Sequence, residues 1–243
     1  MINQSKQNGC ANSPDVKKFF DKEWELYKRV VNLNYMAHKE ILEILRKFFC
    51  SDPTPIISVL ELGCGDASLL SSALQGTEIE TYYGVDISPH ALELADENTR
   101  LLSGNKYFIE GDLLEEVGKF RAVFDVIVAG YSFHHLMIKE KGQFFKNCCS
   151  ALKSRGTLII FDVVCTPEEN RHGYIKRFSR ICMEKWDQLT GEELLRICEH
   201  VKSSDYPETF ETYQQLAEEN GFKRTEKLFH DKHYLYGAFS FTT

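Results

Sequence analysis

The sequence predicts an α/β fold: a Rossmann-like doubly wound sheet, mostly parallel with a C-terminal antiparallel hairpin strand, a helical N-terminal flap and a helical lid insertion. Three observations predict it. Short apolar runs alternate with amphipathic helical stretches over residues 56–164, and strands apolar on both faces belong to parallel sheets covered on both sides. The alternation then breaks, and residues 167–205 read as two helices with no strand between them. Finally, two strand-like runs flank Asp231-Lys232, the pattern of a tight antiparallel hairpin.

Each element has its own signal. The first ten residues read as a flexible tail. Ser13-Pro14-Asp15 then supplies a cap, a first-turn proline and an acid near the positive end of the helix dipole. Val16, Phe20, Trp24, Tyr27 and Val31 follow at helical spacing. A second helix over residues 35–49 stops at Ser51-Asp52-Pro53, and the pair reads as a flap over one edge of the main domain. Residues 56–62 form a buried strand running into Gly63-Cys64-Gly65, followed by a helix over 66–75 and a strand over 79–86. Ser88-Pro89 caps a helix carrying Leu92, Leu94, Ala95 and Leu102. A brief strand over 106–110 closes at Gly111-Asp112, and a buried strand covers 124–130. The helix over 137–152 turns Phe144, Phe145, Cys148 and Leu152 inward, and Gly156 ends the turn into a strand over 157–164. Helices over 168–185, 191–202 and 207–220 come next, the last stopped by Gly221. The hairpin pairs 222–230 with 233–241. The chain thus divides into a tail and flap (1–50), a core (51–164), a lid (165–205) and a last helix with hairpin completing the core sheet (206–243).

Composition narrows the function. With 243 residues, 43% hydrophobic and 27% charged, the chain is neither disordered nor collagen-like. No apolar run approaches the ~20 residues that span a bilayer, and the polar residues 1–15 lack a signal-peptide core. A cytoplasmic protein with no membrane partner is expected. A net charge of −7 removes nucleic acid as a default partner. The eight cysteines show no paired spacing and no Cys-x-x-Cys, so they read as reduced, packed thiols, and no metal centre is expected.

Open α/β sheets bind ligands beyond the carboxyl ends of their strands. After the first strand stands Glu61-Leu62-Gly63-Cys64-Gly65, whose glycines let the backbone turn sharply and approach a ligand. Asp86 follows the second strand, 21 residues beyond Gly65, where a carboxylate suits a ribose diol. Asp112 follows the third, placed to accept from an exocyclic amine. Together they describe a pocket for an adenosine with free ribose hydroxyls. Ser68 occupies the third-glycine place of a nicotinamide fingerprint, the loop has no Lys or Arg for phosphates, and no Walker-type Gly-Lys-Ser/Thr is present. A phosphate-free ligand such as S-adenosylmethionine fits better. An NAD-dependent oxidoreductase and a non-catalytic S-adenosylmethionine-binding protein are the alternatives.

Val59-Leu60-Glu61-Leu62-Gly63-Cys64-Gly65 resembles motif I of the class I S-adenosylmethionine-dependent methyltransferases. Val85-Asp86-Ile87-Ser88 is similar to their acidic loop and Gly111-Asp112-Leu113 to their adenine-side motif. Phe124-Asp125-Val126-Ile127-Val128, followed by Ser132-Phe133-His134-His135-Leu136, resembles their fourth motif. Residues 152–158 resemble the turn into their fifth strand, and the terminal hairpin their reversed last strand. The likeness covers residues 58–164. It implies that Gly63 and Gly65 back onto the methionine moiety, that Cys64 between them belongs to the cofactor site, and that Glu61 bonds near the amino group or holds the loop. Asp86 would take the ribose hydroxyls, Ile87 would lie along the adenine, Asp112 and Leu113 would meet its edge, and Gly130 and Tyr131 would border the methionine part. Ala67 stands where the family often carries glycine, which suits a negative φ there.

The acceptor is expected to be a small molecule. A sulfonium methyl is already activated, so in-line alignment and exclusion of water are the protein's main tasks. His134 and His135 are the candidate catalytic residues, as a base for a hydroxyl or as groups that hold backbone and pack a helix start. Tyr27, Tyr35 and Arg29 are candidates to close the pocket. On the lid, Arg171, His172, Lys176, Arg177 and Arg180 are either a solvated face or a device steering an anionic acceptor; Ile175, Phe178, Ile181 and Trp186 form its apolar side. His230 and His233 read as turn residues. No Asn/Asp-Pro-Pro-Tyr/Phe follows the fourth strand, where Ala129-Gly130-Tyr131-Ser132 stands instead. Asp86→Ala is expected to remove donor binding and leave the fold intact.

Overall fold

A computed structural model describes residues 14–50 and 57–243, without the side chains of residues 14–22. Its strands are β1 (Ile57–Leu62), β2 (Ile79–Asp86), β3 (Asn105–Glu110), β4 (Phe124–Gly130), β5 (Leu152–Val163), β6 (Arg224–His230) and β7 (Tyr236–Thr242). They form one sheet in the order β3-β2-β1-β4-β5-β7-β6. The first five run parallel, and β7 lies antiparallel to both β5 and β6. The order reverses between β1 and β4, and at such a switch point the loops leaving the two strands diverge and open a crevice.

Every residue of the central β1 is buried, whereas the edge strand β3 has none buried and exposes Asn105, Tyr107 and Glu110. Two helical layers do the covering. On one face Val59, Tyr82, Val128 and Ile159 pack with α2 (His38–Cys50), α3 (Ser68–Ala73), α4 (Pro89–Asn98) and α7 (Arg171–Lys185). On the other, Leu60, Val85, Ile127 and Ile160 pack with α5 (Leu113–Val117), α6 (Ile138–Ala151) and α9 (Phe210–Glu219). Neighbours in sequence such as Val59 and Leu60 fall on opposite layers because strand side chains alternate. The remaining helices, α1 (Pro14–Asn32) and α8 (Gly191–Ser204), pack on each other outside the first layer. A kink at Glu23 (φ −109°, ψ 16°) redirects α1 just before Trp24.

The main elements match the sequence reading, and the differences have local causes. The expected cap Ser13, the tail and Ile56 lie outside the described residues. Residues 152–156 belong to β5 rather than to a turn: Arg155 takes φ +65°, and the register slips between Phe124 and Val126 to absorb the extra length. The connection between β6 and β7 is five residues, not two. The Asp231 carboxylate accepts from the backbone N–H groups of His233, Leu235 and Tyr236 and closes that loop. α5 and a 3-10 turn at Phe133–His135 are too short to show a period and were not expected. Ala67 does not keep a negative φ. It sits at φ +54°, buried, its N–H on the Cys64 carbonyl at 2.8 Å, as the left-handed residue that opens α3; that conformation costs an alanine about 1–2 kcal/mol. Among the described residues no helix is long and apolar enough to cross a membrane.

Candidate functional site

The rim is built from the loops that leave β1, β2, β3 and β4. Gly63 and Gly65 take φ +66° and +52°. A side chain at Gly63 would start 2.5 Å from the Ser132 Cβ, so its absence lets the β1 and β4 loops meet; at Gly65 the corresponding space is open. The Gly65 N–H donates to Asp86 Oδ2 at 2.8 Å, and the Ser88 N–H donates to Asp86 Oδ1 at 2.9 Å. Asp86 is therefore half-buried and ties two loops together, which corrects the expectation that its loss leaves the fold untouched. Asp112 caps α5, its Oδ1 accepting from the N–H groups of Leu114 and Glu115 at 2.9 and 3.1 Å.

Between these loops lies a cavity of about 310 Å³. Glu61, Gly63, Cys64, Gly65, Asp86, Ile87, Asp112, Leu113, Gly130 and Tyr131 all line it, as does His135. Its roof comes from the flap: Trp24, Tyr27 and Val31 on α1 and His38 on α2. Glu61 is buried and accepts a short hydrogen bond from the Tyr82 hydroxyl. Burial pushes its carboxyl up to about 8; the Tyr82 bond opposes this, and Asp66 and Asp86 add to it. His38 stacks on Tyr131 with ring centroids 5.0 Å apart, and burial lowers its imidazole to about 4, so it is neutral. The Tyr131 hydroxyl donates to the Met36 carbonyl and pins the flap to the rim.

A second, smaller cavity of about 90 Å³ adjoins the first, with Tyr27 and Tyr131 in both walls. His134, His200 and Asp205 are its polar wall; Phe178, Trp186 and Tyr236 are among its aromatic ones. The His134 backbone N–H donates to Asp162 Oδ2 at 2.9 Å, and its Nδ1 lies 2.5 Å from Asp162 Oδ1. Burial works against a charged His134, but Asp162 and Asp205 outweigh it and hold the imidazole above its usual value. His135 places Nδ1 3.0 Å from the Ser204 carbonyl, and burial with the neighbouring His134 pushes it well below its usual value.

The flap and lid differ from expectation. Tyr27 lines both cavities, but Tyr35 and Arg29 face the lid. Tyr35 stacks on Trp186 (4.8 Å, 3°) and its hydroxyl accepts from the Gln188 N–H; Arg29 pairs with Glu193 and donates to the Gln188 carbonyl. None of the lid cations lines either cavity. Arg171 donates to the Asp205 and Lys202 carbonyls and covers the Tyr206 ring. Arg177 pairs with Glu169 and donates to the His233 and Tyr234 carbonyls, while His172, Lys176 and Arg180 are exposed. The guanidiniums hold the insertion together and are not placed to meet an anionic acceptor.

Residues 60–158 match a family model described as a methyltransferase domain. The chain carries a class I S-adenosylmethionine-dependent methyltransferase domain. It is 27% identical over 163 residues to a phosphoethanolamine N-methyltransferase of Plasmodium falciparum, covering 63% of this chain and 59% of that protein. A release factor glutamine methyltransferase of Lactococcus lactis is 30% identical over 90 residues, 37% of this chain and 32% of that protein. The matches thus span less than two thirds of the length of these relatives. The solved magnesium protoporphyrin IX methyltransferase from Synechocystis with bound S-adenosylhomocysteine shares the fold, with TM-score 0.67 and 17% identity over 95% of this chain and 99% of that one.

The cofactor of the methyltransferase domain is S-adenosylmethionine, and the rim fits it. The backbone at Gly65 faces open space, and Asp86 and Asp112 each reach the cavity with carboxylate lone pairs beyond those that bind backbone. The sequence reading missed His38, Asp162 and Asp205. Asp162 had a signal, a carboxylate inside the apolar run of residues 157–164. Asp205 and His38 had none, because only the tertiary fold brings them to the cavities.

Proposed function

We propose that this protein is an enzyme that transfers the methyl group of S-adenosylmethionine to a small-molecule acceptor. The observation that carries the reading is the roof. α1 and α2 close over the larger cavity with Trp24, Tyr27 and His38, and its interior continues toward a chamber of about 90 Å³ rather than an open groove. A space of that kind suits a small molecule better than a protein segment. The cofactor supplies an activated methyl on a sulfonium. Gly63, Cys64, Gly65 and Glu61 hold the methionine end, Asp86 the ribose, Ile87, Asp112 and Leu113 the adenine, and Gly130 with Tyr131 borders the transfer zone. His134 acts through position: with Asp162 it fixes the turn after β4, and His135 faces the cofactor cavity beside it. Among the described residues seven cysteines are unpaired, which supports a reducing, cytoplasmic setting.

The test incubates the purified chain with methyl-labelled S-adenosylmethionine and a fractionated metabolite extract, beside a protein fraction. Label in a small-molecule product, together with tight binding of S-adenosylhomocysteine and none of NAD, is the expected result. Label confined to protein would remove the acceptor class, and no labelling with any fraction would remove the activity.

A further inference from the structure

We propose that His134, His135 and Asp205 form a binding site for one divalent transition-metal ion at the wall between the two cavities. One ring nitrogen of each histidine and one carboxylate oxygen of Asp205 lie within 4.8 Å of one another, and all three residues are buried. His134 and Asp205 face the small chamber and His135 the larger cavity, so open coordination positions would point into space rather than into packed core.

Four observations support the assignment. Asp205 is 2% exposed, yet its Oδ1 has no hydrogen-bond partner, an arrangement unfavourable for any buried polar group and more so for a charged one. That oxygen stands 3.5 Å from His134 Nε2; His135 Nδ1, 3.9 Å from it, donates to the Ser204 carbonyl, which leaves Nε2 as the His135 nitrogen with a lone pair for an ion. Bonds of ~2.0–2.1 Å to a tetrahedral ion place ligand atoms about 3.3 Å apart, so the first spacing is that of two ligands around one ion. Next, the outer partner of His134 is already present. Asp162 holds Nδ1 and leaves Nε2 turned to Asp205, the carboxylate–histidine arrangement that orients a metal-binding imidazole. Finally, the buried charges do not balance with neutral histidines. Asp162 and Asp205 face one buried ammonium, Lys141, whose Nζ donates to the Leu136 and Tyr206 carbonyls; Arg171 donates to the Asp205 and Lys202 backbone carbonyls rather than to the Asp205 carboxylate. One further positive charge is needed, which a proton on His134 or a metal ion at its Nε2 supplies.

Two imidazoles and a carboxylate select zinc, cobalt or ferrous-type ions over calcium or magnesium, which prefer oxygen ligands. His200 lines the same chamber, its ring centroid 5.7 Å from that of His135. If the methyl-transfer reading holds, the ion would grip an oxygen or nitrogen of the acceptor from the chamber side; metal binding itself does not depend on that reading.

The experiment strips the full chain with a chelator and titrates it with Co²⁺ followed by visible absorption, then with Zn²⁺ by calorimetry, no methyl donor being present. One equivalent of Co²⁺ with ligand-field bands is expected. Asp205→Asn and His134→Ala should each lower that affinity at least ~100-fold, and Asp162→Asn about 10–100-fold. S-adenosylhomocysteine titration reports whether each variant is folded, and the wild-type stoichiometry stands apart from the variants altogether. Absence of uptake by the wild type, or uptake that Asp205→Asn and His134→Ala leave unchanged, would overturn the site; His134 would then carry a proton held between two carboxylates. Stoichiometric uptake in a chain that methylates nothing would keep the site and remove the methyl-transfer reading.

Discussion

The floor and the roof of the larger cavity are held by different kinds of interaction. On the floor, strand-end loops are fastened by carboxylates to backbone: Asp86 to Gly65 and Ser88, Asp112 to Leu114 and Glu115. The longest of those links spans 21 residues. The roof is fastened by side chains from remote segments. Tyr131 reaches Met36 across 95 residues, Arg29 reaches Glu193 across 164, and Tyr35 lies flat on Trp186. The floor is therefore pre-formed with the sheet, while a few contacts can part to open the roof, as expected of a cover that must admit ligand.

The sharpest way to break this contrast is Trp186→Ala. Trp186 is buried, stacked on Tyr35 and edge-on to Phe178. Its truncation should cost about 3–5 kcal/mol in denaturant unfolding. S-adenosylhomocysteine affinity should change little once folding is corrected for, because no floor contact is touched. An affinity that collapses with the stability would mean floor and roof are one cooperative unit. Asp86→Ala is the opposite test. It removes two charge-assisted hydrogen bonds worth ~1.5–3 kcal/mol each, so donor binding should fall by about 100-fold or more and the melting temperature by several degrees.

The same contrast explains what the sequence made legible. The floor is written locally: a glycine pair after one strand, a carboxylate after the next, and a third acid that doubles as a helix cap. Reading strands and their ends was enough to place Glu61, Asp86 and Asp112 on one rim. The roof is written in tertiary contacts. Nothing around His38 distinguishes it from any helix-start histidine, and Arg171 and Arg177 carry the same letters whether they meet a substrate or, as here, the chain's own carbonyls. Local backbone also escaped notice where it broke a rule, as at Ala67 and in the bulge at Arg155.

A pH experiment probes the floor from within. Burial raises the Glu61 carboxyl from 4.5 to about 8. The folded chain then holds a proton there that the unfolded chain releases near pH 4.5. Glu61 thus contributes its full stability below that point, and the contribution is lost as pH rises to about 8, by at most ~1.4 kcal/mol per unit. Glu61→Gln should flatten unfolding free energy over this window in urea titrations at several pH values. A wild-type curve that rises with pH across the window would show that the carboxylate is stabilised in the folded state instead.

The smallest effects separate the lid's two kinds of arginine. Arg177 pairs with Glu169, with Nη2 2.5 Å from Oε2, and donates to the carbonyls that close the β6–β7 loop. Removing it as Arg177→Ala should cost about 2 kcal/mol, since it leaves Glu169 and two carbonyls short of a donor. Arg180 is exposed and lines neither cavity, so Arg180→Ala should fall within about 0.5 kcal/mol of wild type. Neither change should move the acceptor KM once an acceptor is found. The sequence alone allowed the reverse, a basic lid face that gathers an anionic substrate. A KM that rises with Arg180→Ala while stability stays fixed would restore that role, and it would place substrate on the outer face of the insertion rather than in the chamber beneath it.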